Sequence, residues 1–499
     1  MNAAKRIGLL LGIIAALIIF LFFDLDPTNN QITIMAAIAV LMAIWWITEA
    51  IPLAATSLIP LILYPLFGIL KSDDIAASYI NSVIFLFLGG FMIALAMERW
   101  GLHKRIALKI ISLFGGSPQS IIFGFMIAGA FLSMWISNTA TAIMMLPIAL
   151  AIISRMESQF GTDNTHKFSL AILLGVAYSC TLGGMATIVG TPPNLVFIET
   201  MKIMFPQAPE ISFGNWMFLA FPITITMLLL TSIILTKVIF RIDKSLKIEK
   251  SFIKDEFNKL GVMTFEQKMV STVFGLTALL WIFRKDLNFG LFNIPGWSNL
   301  FYYSDFINDG TVAITMAFFL FLIPAKKERS TLLNIEVFGK IPWGIILLFG
   351  GGFALAKGFT STGLSEYIGD HISGLSSLPH FLVIMLVATS ISFLTELTSN
   401  TATTQMILPV LASVSVAMGM NPVLLMITAT LSASMAFMLP VATPPNTIIF
   451  ASSRLKIYEM ARTGIILNFI GVIIVSILVY FLGIWLFDLG TFPDWAFIN

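Results

Sequence analysis

Long apolar runs, separated by short polar or Pro/Gly-containing segments, account for most of the chain. A helix needs about 20 mainly apolar residues to cross a hydrocarbon layer about 30 Å thick. By this criterion, and from where polar punctuation interrupts the runs, the pattern predicts eleven membrane-crossing segments. They lie near residues 6–23, 31–50, 51–70, 82–98, 168–203, 213–236, 266–285, 310–325, 343–359, 421–453 and 464–487.

Two further apolar stretches, 119–154 and 380–418, are too long for a single crossing, since one helix of that length would reach about 55 Å. Each carries the string Ser-Asn-Thr-Ala-Thr near its middle, at 137–141 and 399–403. Hydroxyl and amide groups are costly in hydrocarbon unless something satisfies them. We therefore predict that each stretch folds back at this string as a re-entrant hairpin with a polar tip. A tight pair of full crossings is the alternative.

The composition fits this pattern: 58% of the 499 residues are hydrophobic and 11% are charged. This predicts an all-α, multi-pass membrane protein, expected in a bacterial plasma membrane. With re-entrant hairpins and a cytoplasmic N-terminus, the segments predicted inside hold 22 of the 28 Lys and Arg residues. Those predicted outside hold only Lys71 and Lys285. Because cytoplasmic loops are enriched in positive charge, this distribution favours re-entrant hairpins and places the C-terminus outside.

The chain also contains a duplication. Ser137 and Pro147 recur 262 residues later as Ser399 and Pro409, and a Thr-Pro-Pro-Asn string recurs at an offset of 252. Each copy would contain five crossings and one hairpin, so the odd number inverts the second copy relative to the first. Inverted repeats are typical of secondary transporters, whose binding site lies between the repeats.

The repeats define the predicted organisation of the chain. It consists of an extra N-terminal helix and loop (1–30), repeat 1 (31–240, with hairpin 119–154), a cytoplasmic linker (241–265), repeat 2 (266–487, with hairpin 380–418) and an external tail (488–499).

The Thr-Pro-Pro-Asn strings at 191–194 and 443–446 predict a helix break in each repeat. Two prolines remove two backbone donors and push the preceding threonine out of the helical region. The freed carbonyl groups attract a small cation, and the helix that begins after the break attracts an anion. A kink that serves only packing is the alternative.

The hairpins offer further oxygen ligands. Ser133 lies one helical turn before Ser137, and Thr395 lies one turn before Ser399, so each hairpin can present two hydroxyl groups on one face. Bonding of these hydroxyls to helix carbonyls is the alternative. Hydroxyl, amide and carbonyl oxygens suit sodium far better than zinc or copper.

Other chemistry is poorly represented. Glu396 follows Thr395, but the first repeat has Met134 at the equivalent position, so a role near a cation and a structural hydrogen bond remain equally open. The sequence has one cysteine, no zinc-protease motif and no phosphate-binding loop. The net charge of +2, without a dense basic block, gives no indication of nucleic-acid binding. We expect no enzymatic activity and no organic cofactor.

At these motifs the chain resembles the divalent anion/sodium symporter family, which includes sodium-dependent dicarboxylate and citrate carriers. The resemblance implies a homodimer in which a transport part moves as a rigid elevator against a scaffold. It implies one sodium ion at Ser133, Ser137, Asn138 and Gly190, and a second at Thr395, Ser399, Asn400 and Ala442. It places substrate carboxylates at Asn138, Thr139, Asn400, Thr401, Thr443 and Pro444.

The expected function is therefore sodium-coupled symport of C4-dicarboxylates such as succinate, malate and fumarate. Citrate or sulfate transport, or dicarboxylate exchange without sodium, are alternatives within the same family. An ion channel or a sodium/proton antiporter is the alternative from another class. It would require paired intramembrane carboxylates, whereas Glu396 has no counterpart in the first repeat.

Overall fold

The computed structural model describes residues 3–243, 246, 250–288, 293–372 and 378–496. Within these ranges the chain is largely helical, and eight helices are long and apolar enough to cross a membrane. This confirms a helical, multi-pass membrane protein. Parts of the predicted linker (244–245 and 247–249), of repeat 2 (289–292 and 373–377) and of the tail (497–499) lie outside the described residues.

The helices of the first half, up to the predicted linker, follow the predicted apolar runs closely. They are Ala3–Phe22, Asn30–Thr48, Leu53–Thr56, Ile59–Leu66, Ser72–Tyr79, Ser82–Arg99, Leu102–Leu113, Pro118–Ser133, Asn138–Phe160, Thr162–Met185, Pro192–Met204 and Phe213–Ile233, the last continued by a π-helix at Ile234–Ile239.

The second half of the chain is also mainly helical. Its helices are Lys250–Asn258, Phe265–Ile282, Asp309–Leu322, Val337–Lys340, Trp343–Thr362, Leu364–Ile372, His380–Leu394, Asn400–Ala417, Pro422–Ala433, Pro444–Phe450 and Ile457–Phe487. Single 3₁₀ turns lie at Trp297–Leu300, Ser304–Phe306 and Asp494–Ala496, and the two short strands Leu287–Asn288 and Asn293–Ile294 pair antiparallel.

Local chemistry explains several helix boundaries. The side chain of Asn29 accepts a hydrogen bond from the backbone N–H of Gln31, which caps the helix Asn30–Thr48. Asn81 caps the helix Ser82–Arg99 in the same way. The predicted crossing at 51–70 is instead two short helices that begin at Leu53 and Ile59. The short helix Leu102–Leu113, which follows Ser82–Arg99, was not predicted.

Both long apolar stretches are interrupted at the Ser-Asn-Thr string, with a helix on either side. We call them hairpin 1 (arms Pro118–Ser133 and Asn138–Phe160) and hairpin 2 (arms His380–Leu394 and Asn400–Ala417). The first arms, of 16 and 15 residues, rise only about 24 and 22 Å. The second arm of hairpin 1 has 23 residues and is by itself long enough to cross a membrane.

Both predicted helix breaks are present. We call the segment 186–191 break 1 and the segment 434–443 break 2. After break 1 the chain continues as Pro192–Met204, which packs against the second arm of hairpin 2. After break 2 it continues as Pro444–Phe450, which packs against the second arm of hairpin 1. Each half of the chain therefore supplies a broken helix to the hairpin of the other half.

Candidate functional site

The tips of both hairpins and both helix breaks meet around one central cavity of about 670 Å³. Ten of the twelve predicted site residues line it: Ser137, Asn138, Thr139, Gly190, Ser399, Asn400, Thr401, Ala442, Thr443 and Pro444. The other two, Ser133 and Thr395, are fully buried behind the tips. The structure thus brings together residues that are up to about 300 positions apart in the sequence.

The two hairpin tips are built in the same way. In hairpin 1 the hydroxyl of Ser133 donates a short hydrogen bond to Oδ1 of Asn138. In hairpin 2 the hydroxyl of Thr395 donates to Oδ1 of Asn400 at 2.6 Å. In each tip the hydroxyl one turn before the string thus pairs with the asparagine amide. In both tips this pair fixes the orientation of the asparagine side-chain amide.

The serine of each string begins the second arm of its hairpin. Ser137 accepts a hydrogen bond from the backbone N–H of Ala140 at 3.2 Å and is exposed to the cavity. Ser399 occupies the same N-terminal position before Asn400, with its side chain making no capping bond. The second arms of both hairpins therefore begin at the cavity, where the positive ends of their helix dipoles favour an anion.

Asparagine side chains hold the helix breaks open. Nδ2 of Asn194 donates to the carbonyl oxygens of Gly184 (3.2 Å) and Thr187 (2.7 Å). At the equivalent positions, Nδ2 of Asn446 donates to the carbonyls of Ala436 (3.2 Å) and Leu439 (3.1 Å). These donors satisfy carbonyls that the broken helix has released. Oδ1 of each asparagine is buried without a hydrogen-bond donor.

Hairpin 1 and break 1 are in close contact. The hydroxyl of Thr187 donates to the carbonyl oxygen of Met134. A Cβ added at Gly184 would lie 2.6 Å from Oδ1 of Asn138, and one added at Gly190 would lie 2.5 Å from the carbonyl oxygen of Gly184. Glycine at 184 thus lets the end of the helix Thr162–Met185 approach the hairpin tip, and glycine at 190 lets break 1 fold closely against that helix end. The amide oxygen of Asn138 and the carbonyl oxygens of Gly184 and Met134 therefore lie close to one another.

Glu396 holds break 2, which resolves the alternatives left open by the sequence. Its carboxylate accepts hydrogen bonds from the backbone N–H groups of Phe437 (2.7 Å), Met438 (2.9 Å) and Leu439 (3.1 Å) and from Nδ2 of Asn468 (2.7 Å). The three backbone donors belong to a ten-residue break, whereas break 1 has six residues. The carboxylate thus has a structural role in the longer break, and it does not line the cavity.

The cavity wall opposite the hairpin tips is largely apolar. It comes from helices that precede the hairpins and consists of Ile47, Leu53, Phe87, Gly90, Phe91, Ala94, Ile345 and Leu348. Trp135, Leu397 and Val441 add apolar surface beside the tips. No sequence pattern assigns these apolar residues to the cavity, because they resemble any other residue of a membrane helix.

Two charged residues, Lys5 and Glu49, also line the cavity, and among its lining residues they alone are charged. The described residues contain no group of three or more His, Cys, Asp or Glu side chains that could hold a metal ion. Neutral oxygens with buried, donor-free acceptors at both breaks fit a hard monovalent cation better than a transition metal.

Two interrupted hairpin segments and two broken helices around one cavity in a membrane protein are the architecture typical of a secondary transporter. The family model described as "Sodium:sulfate symporter transmembrane region" matches residues 3–489. The chain therefore belongs to the divalent anion/sodium symporter family, as its motifs indicated.

Curated relatives agree with this assignment. The chain is 41% identical over 488 residues to the "Sodium-dependent dicarboxylate transporter SdcS" of Staphylococcus saprophyticus, covering 96% of this chain and 92% of that protein. It is 42% identical over 487 residues to the protein of the same name from Staphylococcus aureus, covering 96% and 91%. The family and these bacterial relatives support a multi-pass protein of the bacterial plasma membrane.

Two solved structures share the fold at low sequence identity. The YdaH transporter of Alcanivorax borkumensis matches with a TM-score of 0.56 at 12% identity, covering 92% of this chain and 99% of that one. MtrF of Neisseria gonorrhoeae matches with a TM-score of 0.55 at 14% identity, covering 95% and 97%. At this level of identity the likeness concerns the fold alone.

Proposed function

We propose that this protein is a sodium-coupled symporter of C4-dicarboxylates such as succinate, malate and fumarate. One observation carries the proposal: hairpin tips and helix breaks from both halves of the chain surround a single cavity without excess charge. The curated relatives, which are named as sodium-dependent dicarboxylate transporters, support it.

Charge balance explains why such a cavity would need sodium. The charges of Lys5 and Glu49 cancel, and the other lining residues are neutral. A dicarboxylate brings two negative charges, and burying them in a low-dielectric site without compensation is strongly unfavourable. Helix N-termini compensate part of this cost. Bound sodium ions supply the rest, so dicarboxylate affinity is expected to depend on sodium.

We place the two sodium ions between the hairpin tips and the helix breaks. The first would be held by Ser133, Ser137, Asn138 and Gly190. The second would be held by Thr395, Ser399, Asn400 and Ala442. The bond from Ser133 to Asn138, and its counterpart in hairpin 2, support this placement because they bring the required oxygens together.

The substrate would lie in the cavity between the two tips. Amide and hydroxyl donors for its carboxylates are available on Asn138, Thr139, Asn400, Thr401 and Thr443, with Pro444 beside them. Sulfate, favoured by the family description, is the second candidate substrate. Citrate transport and exchange without sodium remain further alternatives.

We infer that the two halves are inverted repeats with re-entrant hairpins, a cytoplasmic N-terminus and an external C-terminus. The packing of each broken helix against the opposite hairpin supports this symmetry. We further propose an elevator motion in a homodimer. The apolar wall supports such a motion, because it makes few directional bonds that sliding would have to break.

The direct test is uptake of labelled succinate into proteoliposomes, with an external sodium or potassium gradient and with malate, fumarate, citrate and sulfate as competitors. Uptake that requires sodium and is inhibited by malate and fumarate is expected. Equal uptake in potassium would exclude coupling to sodium. Inhibition by sulfate alone would favour the second candidate.

The site is tested with Asn138→Ala and Asn400→Ala in the same assay. Each removes an amide from a tip and is expected to abolish uptake. Asn164→Ala is the matched control, because its exposed side chain donates only to the carbonyl of Phe160. Normal uptake by both tip variants would refute the assignment. Light scattering of the purified wild type checks the expected dimer.

A further inference from the structure

An ion pair at the edge of the cavity has no role in the proposed sodium or substrate sites. Nζ of Lys5 lies 3.7 Å from Oε2 of Glu49. Both side chains remain accessible, with 42% and 58% of their surfaces exposed. They line the same cavity as the hairpin tips, so this accessible pair marks the mouth of the cavity.

Helix packing fixes Lys5 in this place. On the helix Ala3–Phe22, Lys5 shares a face with Gly8 and Gly12, three and seven residues later. A Cβ added at Gly8 would lie 2.2 Å from Oγ1 of Thr48, and one added at Gly12 would lie 2.5 Å from the ring of Trp45. The N-terminal helix is therefore pressed against Asn30–Thr48, which brings Lys5 beside Glu49.

The backbone also holds Glu49 at the mouth. It follows the helix Asn30–Thr48 in the left-handed conformation, with φ of 45°, and its N–H donates to the carbonyl of Trp45. This left-handed residue ends the helix, so the side chain of Glu49 does not continue the helical face. The ion pair thus joins the end of one helix to the start of another.

The physical properties of the pair suit a transient contact with an anion. Exposed ion pairs contribute little to stability, so a dianion can compete with Glu49 for Lys5. Positive charge at the mouth of a low-dielectric cavity raises the local concentration of anions and their rate of entry. Glu49 limits this effect, which prevents an anion from being retained at the mouth.

We propose that Lys5 attracts dicarboxylates to the cavity mouth, which the inferred topology places on the cytoplasmic side, and that Glu49 moderates its field. Lys5 is a positioning residue for the substrate, separate from the hairpin tips that would bind it. The inference rests on the proposed function, since it requires a dianionic substrate. The charge of Lys5 acts at a distance on the anion, both as it enters and once it is bound, so it changes the affinity as well as the rate of entry.

The test compares variants by calorimetric binding of succinate to the purified full-length protein in detergent. Sodium is kept constant, and ionic strength is raised with choline chloride. Lys5→Gln is expected to raise the Kd about 3- to 10-fold at low ionic strength, and Lys5→Arg to restore it. Glu49→Gln is expected to lower the Kd. The differences should fade as the screening length falls below about 10 Å.

Arg6→Gln is the matched control, because Arg6 is the adjacent cation, is exposed and does not line the cavity. It changes the net charge as Lys5→Gln does and is expected to leave the Kd unchanged. The proposal would be overturned by equal effects of the two variants, by an effect of Lys5→Gln that is independent of salt, or by weaker binding in Glu49→Gln. Absence of succinate binding by the wild type would instead refute the proposed function.

Discussion

Glu396 provides the sharpest test of how the fold builds the site. Its carboxylate is buried and accepts from the N–H groups of three consecutive residues, 437–439, and from the amide of Asn468. Break 2 continues from these residues to Ala442 and Thr443, which line the cavity. We expect Glu396→Gln to destabilise the protein and to weaken substrate binding.

The magnitude follows from counting donors. A glutamine amide presents one oxygen and one NH₂ group, so at least one of the two carboxylate oxygens is replaced by a donor. If Oε2 is the oxygen replaced, the N–H of Leu439 loses its acceptor and the N–H of Met438 loses one of two. A hydrogen bond to a charged group contributes about 1.5–3 kcal/mol, and an orphaned donor costs about 1–3 kcal/mol more. The expected loss is about 3–5 kcal/mol.

Loss of the buried charge in Glu396→Gln has an opposite but smaller effect on stability. Removing a buried charge lowers its desolvation cost, and replacement of a buried ion by a neutral group is sometimes stabilising. Here four donors already compensate the carboxylate, and the variant leaves part of them unpaired. The loss of hydrogen bonds therefore outweighs the gain in desolvation.

The assay is thermal unfolding of the purified protein, with and without sodium and succinate, followed by uptake kinetics. Ser392→Ala is the control, because Ser392 lies one turn before Glu396 on the first arm of hairpin 2 and donates only a long bond of 3.4 Å to the carbonyl of Met435 in break 2. It should cost under about 1 kcal/mol. The reasoning would be refuted if the Glu396→Gln variant unfolded at the wild-type temperature and kept the wild-type KM for sodium.

Three further substitutions test other contacts. Asn194→Asp replaces an amide donor by a carboxylate facing backbone carbonyls, and we expect a loss above about 3 kcal/mol in thermal unfolding together with loss of sodium-dependent uptake. Arg284 is fully buried with Nε at 2.5 Å from Oδ1 of Asp309, so Arg284→Leu should cost about 3–5 kcal/mol, and adding Asp309→Asn should recover part of it. Tyr178→Phe removes a 2.9 Å bond to a carbonyl of break 2 and should cost about 1 kcal/mol, with uptake KM shifting less than in Asn194→Asp.

The sequence predicted most helices and both breaks because their causes are local. Hydrocarbon requires long apolar segments with internally bonded backbones, so crossings can be read from the spacing of polar residues. Prolines 192–193 and 444–445 interrupt a helix wherever they occur in one. The repeated Ser-Asn-Thr strings indicated the two hairpins because hydroxyl and amide groups are costly in the middle of a long apolar run. The helices that flank the two strings begin at Pro118 and His380 and end at Phe160 and Ala417, against predicted stretches of 119–154 and 380–418.

Only the tertiary structure decided which groups meet. Glu396 lies 41 residues before Phe437, and Lys5 lies 44 residues before Glu49, and no local pattern pairs them. The sequence placed Glu49 at a span end and left the role of Glu396 open; the structure puts the first at the cavity mouth and the second behind break 2. The physical reason is that periodicity and proline geometry act over a single turn, whereas these contacts depend on how separate helices pack against one another.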